Sequence, residues 1–211
     1  GVVLTTTVAA NGSWSETLTS PLANGTHTLS ATAVDAAGNT SSAAVLALTI
    51  DSVAPTAPTL TIAEAADGYV NQTEASSGGG VPVTVALPTG TAAGDVVTWL
   101  VDGPGAADTT LSHTVTAANV TAGSASVLIP TAALAANGGY SVTARVTDRA
   151  GNDGATSPAS VFTVDRTAPA APTLTIPEAA DGYVNQAEAG SNGGVPVTVA
   201  LPAGLVAGDV V

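Results

Sequence analysis

Short runs rich in valine, threonine and alanine recur along the chain, each alternating apolar and polar positions. The run at 140–147 shows it best. Tyr140, Val142, Ala144 and Val146 fall on one face, and Ser141, Thr143, Arg145 and Thr147 on the other, the two-residue period of a half-buried strand. Turn signals such as Asn137-Gly138-Gly139 and Gly103-Pro104-Gly105 separate the runs. The pattern predicts strands over 57–63, 81–87, 96–102, 111–117, 124–129, 139–147 and 158–164, with no competing helical period. About seven strands in the 113 residues from 53 to 165 fit an antiparallel Greek-key sandwich.

The same pattern repeats. Residues 54–62 recur at 168–176, 114 positions on; 64–72 recur at 178–186, 79–88 at 193–202 and 94–97 at 208–211. A weaker match links Asp35-Ala-Ala-Gly-Asn39 to Asp148-Arg-Ala-Gly-Asn152, 113 apart. Residues 1–52 are therefore expected to be the C-terminal half of one repeat, 53–165 a complete repeat, and 166–211 the N-terminal half of another. Leu4–Val8 aligns with Leu111–Val115, so the two halves nearly make one more repeat, lacking a strand that matches 98–102. In the first half-repeat His27, Leu29, Ala31 and Ala33 take the places of the inward set, and His27 stands where Tyr140 stands. Tyr140 opens its strand after a turn, as the aromatic of a tyrosine corner does. His27 is then expected to be structural, its imidazole bonding nearby backbone as a tyrosine hydroxyl would.

Composition narrows what such a chain can do. Charged residues are 9% of the 211, and they comprise 16 acids against three arginines, a formal charge of −13. Nucleic acid and anionic membranes are poor partners for such a chain, and cations are natural ones. No cysteine is present, which excludes disulfides, thiol catalysis and Cys-ligated metal centres. No apolar run approaches the ~18 residues of a membrane span and no basic leader opens the chain, so neither direct membrane insertion nor a signal peptide is expected. The two histidines, His27 and His113, lie in different repeats with no repeating counterpart. Neither a Ser-His-Asp arrangement nor a Gly-x-Ser-x-Gly elbow is present, so an enzyme is not expected. Trp99 reads as the core tryptophan of the sandwich, and the scarcity of aromatics speaks against a carbohydrate platform.

The combination of Val34-Asp-Ala-Ala-Gly-Asn-Thr40, a strand ending Leu48-Thr-Ile-Asp51, and Val53-Ala-Pro-Thr-Ala-Pro58 resembles the tandem bacterial immunoglobulin-like repeats of giant surface adhesins, of the RTX and biofilm-associated kinds. The resemblance spans the chain. It implies tandem immunoglobulin-like β-sandwiches in a non-catalytic extracellular stalk, stiffened by calcium at or near domain junctions, which carries ligand-binding regions away from the cell. The implied partners are neighbouring repeats of the same chain. Other copies joined head-to-tail in an extracellular filament, or a carbohydrate- or surface-binding immunoglobulin-like module, are the alternatives.

The residues test the calcium implication unevenly. Asp148 continues the inward parity to the end of the sandwich, and Asp35 shares that parity and the Ala-Gly-Asn sequel. A carboxylate there needs hydrogen bonds or a cation. Either it accepts backbone N–H bonds from its own turn, with Gly38 or Gly151 at positive φ, or it ligates calcium. Calcium takes six to eight oxygens, so partners are required. Asp51 and Asp165 end the last strand just before the linker, and Glu64, Asp67, Glu178 and Asp181 lie one strand later. A first strand running the length of its domain would put Glu64 and Asp67 at its far end. None of these segments has EF-hand spacing. Asp102 and Asp108, flanking Gly-Pro-Gly, read as solvated turn residues. Nine acids against two arginines leave residues 53–165 at −7, which favours cations more than any motif does.

Overall fold

One antiparallel pair, β1 (Gly25–Ala31) and β2 (Ala44–Ile50), provides the named strands of the first half-repeat. The computed structural model describes residues 3–104, 108–190, 194–205 and 209–210. Gly105, Gly193, Gly208 and Val211, used above in the turn and repeat assignments, lie outside the described residues. Eight strands follow: β3 (Thr59–Thr61), β4 (Tyr69–Asn71), β5 (Gly80–Ala86), β6 (Val96–Asp102), β7 (Thr109–Thr114), β8 (Ser124–Pro130), β9 (Gly138–Thr147) and β10 (Ser160–Asp165). They form two sheets, ordered β3-β5-β8 and β4-β10-β9-β6-β7. A last antiparallel pair joins β11 (Thr173–Thr175) to β12 (Thr198–Ala200). The fold is all-β, and its sandwich is of the immunoglobulin-like kind.

The core lies between the two sheets. Val81, Val83 and Val85 face it from one side, and Val97, Trp99, Val142, Val146 and Val164 from the other, all fully buried. Alternation thus separates the faces of β9 as its sequence requires: Tyr140, Val142, Ala144 and Val146 are buried while Arg145 is exposed. Trp99 sits in this core, and its indole N–H has no hydrogen-bond acceptor. The Tyr140 hydroxyl donates to the Ala136 carbonyl at 3.0 Å, and its ring stacks on Phe162 with centroids 5.7 Å apart. Gly103 lies against that ring so closely that a Cβ there would collide with it.

Three local expectations are corrected. The first strand is not one run over 57–63: β3 stops at Thr61, a 3-10 turn spans Ala63–Ala65, and the chain crosses to the other sheet. There β4 pairs parallel with β10, Tyr69 opposite Thr163 and Asn71 opposite Asp165, so the sandwich has eight strands instead of seven. Short helices also interrupt the β pattern. α1 (Gln72–Ser76) starts in a capping box, in which the Asn71 side chain accepts from the Thr73 and Glu74 amides and Glu74 accepts from the Asn71 amide. α2 (Ala117–Ala122) starts in another, built from Thr116 and Asn119, which ends the strand predicted over 111–117 at Thr114. Capping decides both sites because it satisfies orphan amides that a strand end would leave open.

The half-repeats keep the registers of the complete one. His27 opposite Leu48 in β1–β2 copies Tyr140 opposite Phe162 in β9–β10, and Thr173 opposite Ala200 in β11–β12 copies Thr59 opposite Ala86 in β3–β5. Segments whose pairing partner has no counterpart nearby do not become strands. Among the described residues Leu4–Val8, aligned with residues of β7, has no copy of β6 beside it, and Val184, aligned with Val70 of β4, has no copy of β10.

Candidate functional site

The two ends of the complete repeat hold most of its polar side-chain contacts of interest. At one end β4 and β10 finish together at Asn71 and Asp165, beside the start of β9. At the other, β9 leads into the loop Asp148–Asn152, close to the turn at 92–95 and to the linker at 51–55.

Asp148 Oδ1 accepts from the Ala150 and Asn152 amides, both at 2.9 Å, and Oδ2 accepts from the Asn152 side-chain amide at 2.8 Å. Asp35 repeats the arrangement with the Ala37 and Asn39 amides, at 2.9 and 2.8 Å, and the Asn39 side chain at 2.7 Å. Gly38 and Gly151, both at φ 90°, make the turn possible. The asparagine side chain is the largest influence on each carboxyl, followed by its backbone N–H. Together with the other turn amides they hold both carboxyls below their usual value against an opposing effect of burial that outranks those other amides. The turn-capping geometry is thus present at both loops.

The other expected ligands are spread out. Asp51 Oδ1 accepts from the Val53 amide at 3.1 Å. Asp165 Oδ1 accepts from the Thr167 amide at 2.9 Å and from Asn137 Nδ2 at 3.1 Å. Asp67 and Asp181 cap the amides of Tyr69 and Tyr183 at 2.9 and 3.0 Å. Glu64 lies on the crossover between β3 and β4, not at the end of a full-length strand. Its Oε2 is buried without a hydrogen-bond partner, and Glu178 Oε2 repeats that state. Among the described residues no group of three or more His, Asp or Glu side chains is placed to hold a metal. Asp102 ends β6 and Asp108 precedes β7, both exposed.

Sequence reasoning missed Asp95. It is buried; Oδ2 accepts from the Ala92 amide at 2.8 Å and Oδ1 from the Arg149 amide at 3.1 Å, tying the 92–95 turn to the Asp148 loop. The recurring Gly94-Asp95-Val-Val was the available signal. It also missed Asn24 and Asn137, 113 apart, which bind the linkers. Asn24 Oδ1 accepts from the Ser52 amide and hydroxyl, at 3.2 and 2.8 Å, and Asn137 Oδ1 from the Arg166 amide at 3.0 Å.

Neither histidine meets a nucleophile in the bonds it makes. His27 Nε2 donates to the Ala23 carbonyl at 2.7 Å, and His113 Nε2 donates to Asn119 Oδ1 at 2.9 Å. The Asn119 oxygen also accepts from the amide and hydroxyl of Thr116, so it is the acceptor in both caps and contacts.

Residues 1–52 match the bacterial Ig-like domain family. Among solved structures, one described as giving structural insight into host cell surface retention of a 1.5-MDa bacterial ice-binding adhesin is similar at 21% identity, with a TM-score of 0.39. The match covers 82% of this chain and 59% of that one, so the chain spans about three fifths of its length. No curated protein matches the chain.

Proposed function

We propose that the chain is an extender segment of a large bacterial surface adhesin, divided into repeats at 1–52, 53–165 and 166–211, which holds ligand-binding regions away from the cell for adhesion or biofilm formation. The observation that carries this reading is the recurrence of the same strand pairs in the same register, His27 with Leu48 as Tyr140 with Phe162, which makes the repeat a structural unit laid end to end. The family match over 1–52 supports an extracellular setting. Three of the four aromatics of the complete repeat, Trp99, Tyr140 and Phe162, are buried, leaving Tyr69 alone to face a ligand. That argues for a spacer over a carbohydrate-binding module. Small-angle scattering on chains of increasing repeat number tests it: the maximum dimension should rise by a constant increment per repeat, with no signal on a glycan array. Compact particles or specific glycan binding would replace the stalk by a binding module.

Calcium stiffening is the second reading, and the charge of the complete repeat favours it: nine acids against two arginines leave residues 53–165 at −7, and divalent ions at a junction would neutralise that repulsion locally.

A further inference from the structure

Both linkers are gripped by an asparagine that a glycine follows, and the two grips differ in polarity. Just before β1, Asn24 acts through its oxygen: Oδ1 accepts from the Ser52 amide and hydroxyl, at 3.2 and 2.8 Å. Just before β9, Asn137 uses both ends of its amide. Oδ1 accepts from the Arg166 amide at 3.0 Å, while Nδ2 donates to Asp165 Oδ1 at 3.1 Å and to the Thr167 hydroxyl at 2.8 Å. Arg166 is held further by Gln72 Oε1, 2.7 Å from its Nε, and by the Leu134 carbonyl, 3.3 Å from its Nη1. Both asparagines are exposed, and Gly25 and Gly138 have φ of 129° and 137°. A third such pair, Asn11-Gly12, lies in an exposed turn, where Asn11 Oδ1 accepts from the amide and hydroxyl of nearby Ser13. With no Cβ, glycine leaves its amide nitrogen the least hindered backbone nucleophile for the asparagine before it.

We propose that Asn137-Gly138 is a one-way latch on the linker that leaves the complete repeat: when the linker lets go, Asn137 deamidates, and the product no longer holds it. The Gly138 nitrogen attacks Asn137 Cγ. The N–Cγ bond forms, the Cγ–Nδ2 bond breaks, and Nδ2 departs as ammonia with the proton of the Gly138 amide. Water then opens the succinimide to an aspartyl or isoaspartyl residue, with no oxidant or reductant. Attacker and target are tethered neighbours, so the orientation of the side chain governs the rate. While three linker groups hold Oδ1 and Nδ2, the side chain cannot turn onto its own backbone, and local opening of the linker frees it. The product carboxylate has no N–H for Asp165 or Thr167, and it sets a second negative charge against Asp165 where a hydrogen bond had been. At Asn24 the aspartyl product keeps both bonds, because a carboxylate oxygen accepts from Ser52 as an amide oxygen does. The latch rests on the bonds around Arg166 and not on the stalk reading.

Ageing the 211-residue chain at mildly alkaline pH in chelator tests it. Peptide mass spectrometry reads deamidation at Asn11, Asn24 and Asn137, and tryptic cleavage after Arg166 reads opening of the linker. Asn137 should deamidate more slowly than Asn11 in the native chain and at the same rate in denaturant. Gln72→Ala removes a hold on Arg166 from outside the reacting pair. It should speed deamidation at Asn137 and cleavage after Arg166 together, with Asn11 unchanged. Asn137→Asp should be cut after Arg166 about tenfold faster than the parent, through loss of a hydrogen bond to a charged acceptor, and Asn24→Asp should leave that rate as it is. Native deamidation at Asn137 as fast as at Asn11, Gln72→Ala without effect on Asn137, or Asn137→Asp cut no faster than the parent overturns the latch.

Discussion

His27 stands to Ala23 as Tyr140 stands to Ala136. Each side chain donates to the carbonyl four residues back, at 2.7 and 3.0 Å, from positions 113 apart in the chain. A ring with a donor in the right place is what the corner needs, and imidazole and phenol both supply one. Because the acceptor is a carbonyl, the His27 bond requires the proton on Nε2.

Tyr140→Phe keeps the ring and removes the bond, leaving the Ala136 carbonyl without that donor. The expected cost is about 1 kcal/mol, which for a domain of this size lowers the melting midpoint by about 4–8 °C. Thermal denaturation checks it, and an unchanged midpoint would show that the hydroxyl bond contributes nothing. His27→Tyr, by contrast, should preserve the β1–β2 pair.

Gly103→Ala should destabilise by about 1–3 kcal/mol, since the new methyl collides with the buried Tyr140 ring. Trp99→Ala should cost more, about 3–5 kcal/mol, through the cavity it opens between the sheets. Chemical denaturation of both variants measures the order. A Gly103→Ala protein as stable as the parent would mean that the Tyr140–Phe162 stack shifts freely.

The Asp35 and Asp148 carboxyls are held below the usual carboxylate value by hydrogen bonds that only the charged form accepts fully. Their contribution to stability is therefore complete above the unfolded carboxyl value and is lost as pH falls through the lower folded value. Melting midpoints should be level from neutral pH down to the ordinary carboxylate range and fall below it. In Asp148→Asn that part of the acid-side fall should shrink. A variant with the same acid profile as the parent would remove Asp148 from the account.

If calcium binds the native junction, it raises stability by RT ln(1 + [L]/Kd), about 2.7 kcal/mol at a hundredfold excess over Kd. Melting and scattering of a two-repeat chain in calcium and in chelator should then differ in midpoint and maximum dimension. Asp165→Ala should abolish the difference. Identical curves in the two buffers, or a response that survives Asp165→Ala, would sink the calcium reading.

What the sequence by itself determined was set by period and repetition. Alternation at 140–147 assigned the buried and exposed faces of β9, because a strand's side-chain period of two leaves no other choice once one face is apolar. Repetition at 113 and 114 aligned His27 with Tyr140, and the shared register of β1–β2 and β9–β10 follows from it. Capping boxes at Asn71-Gln-Thr-Glu74 and Thr116-Ala-Ala-Asn119 were also there to be read, though apolar alternation obscured them. Only the tertiary structure decided which segments become strands. Leu111 pairs in β7 because Trp99 of β6 lies opposite it, while Leu4, aligned with Leu111, has no such neighbour and stays unpaired. The same holds for polar contacts: the carboxylates at 51, 148 and 165 are legible, but that Asp165 meets the Asn137 side chain 28 residues away, and that Asn152 of the Asp148 loop meets the Asp51 backbone carbonyl across 101 residues, is not. A strand or a ligand set is a relation between distant segments, and the linear pattern records one member at a time.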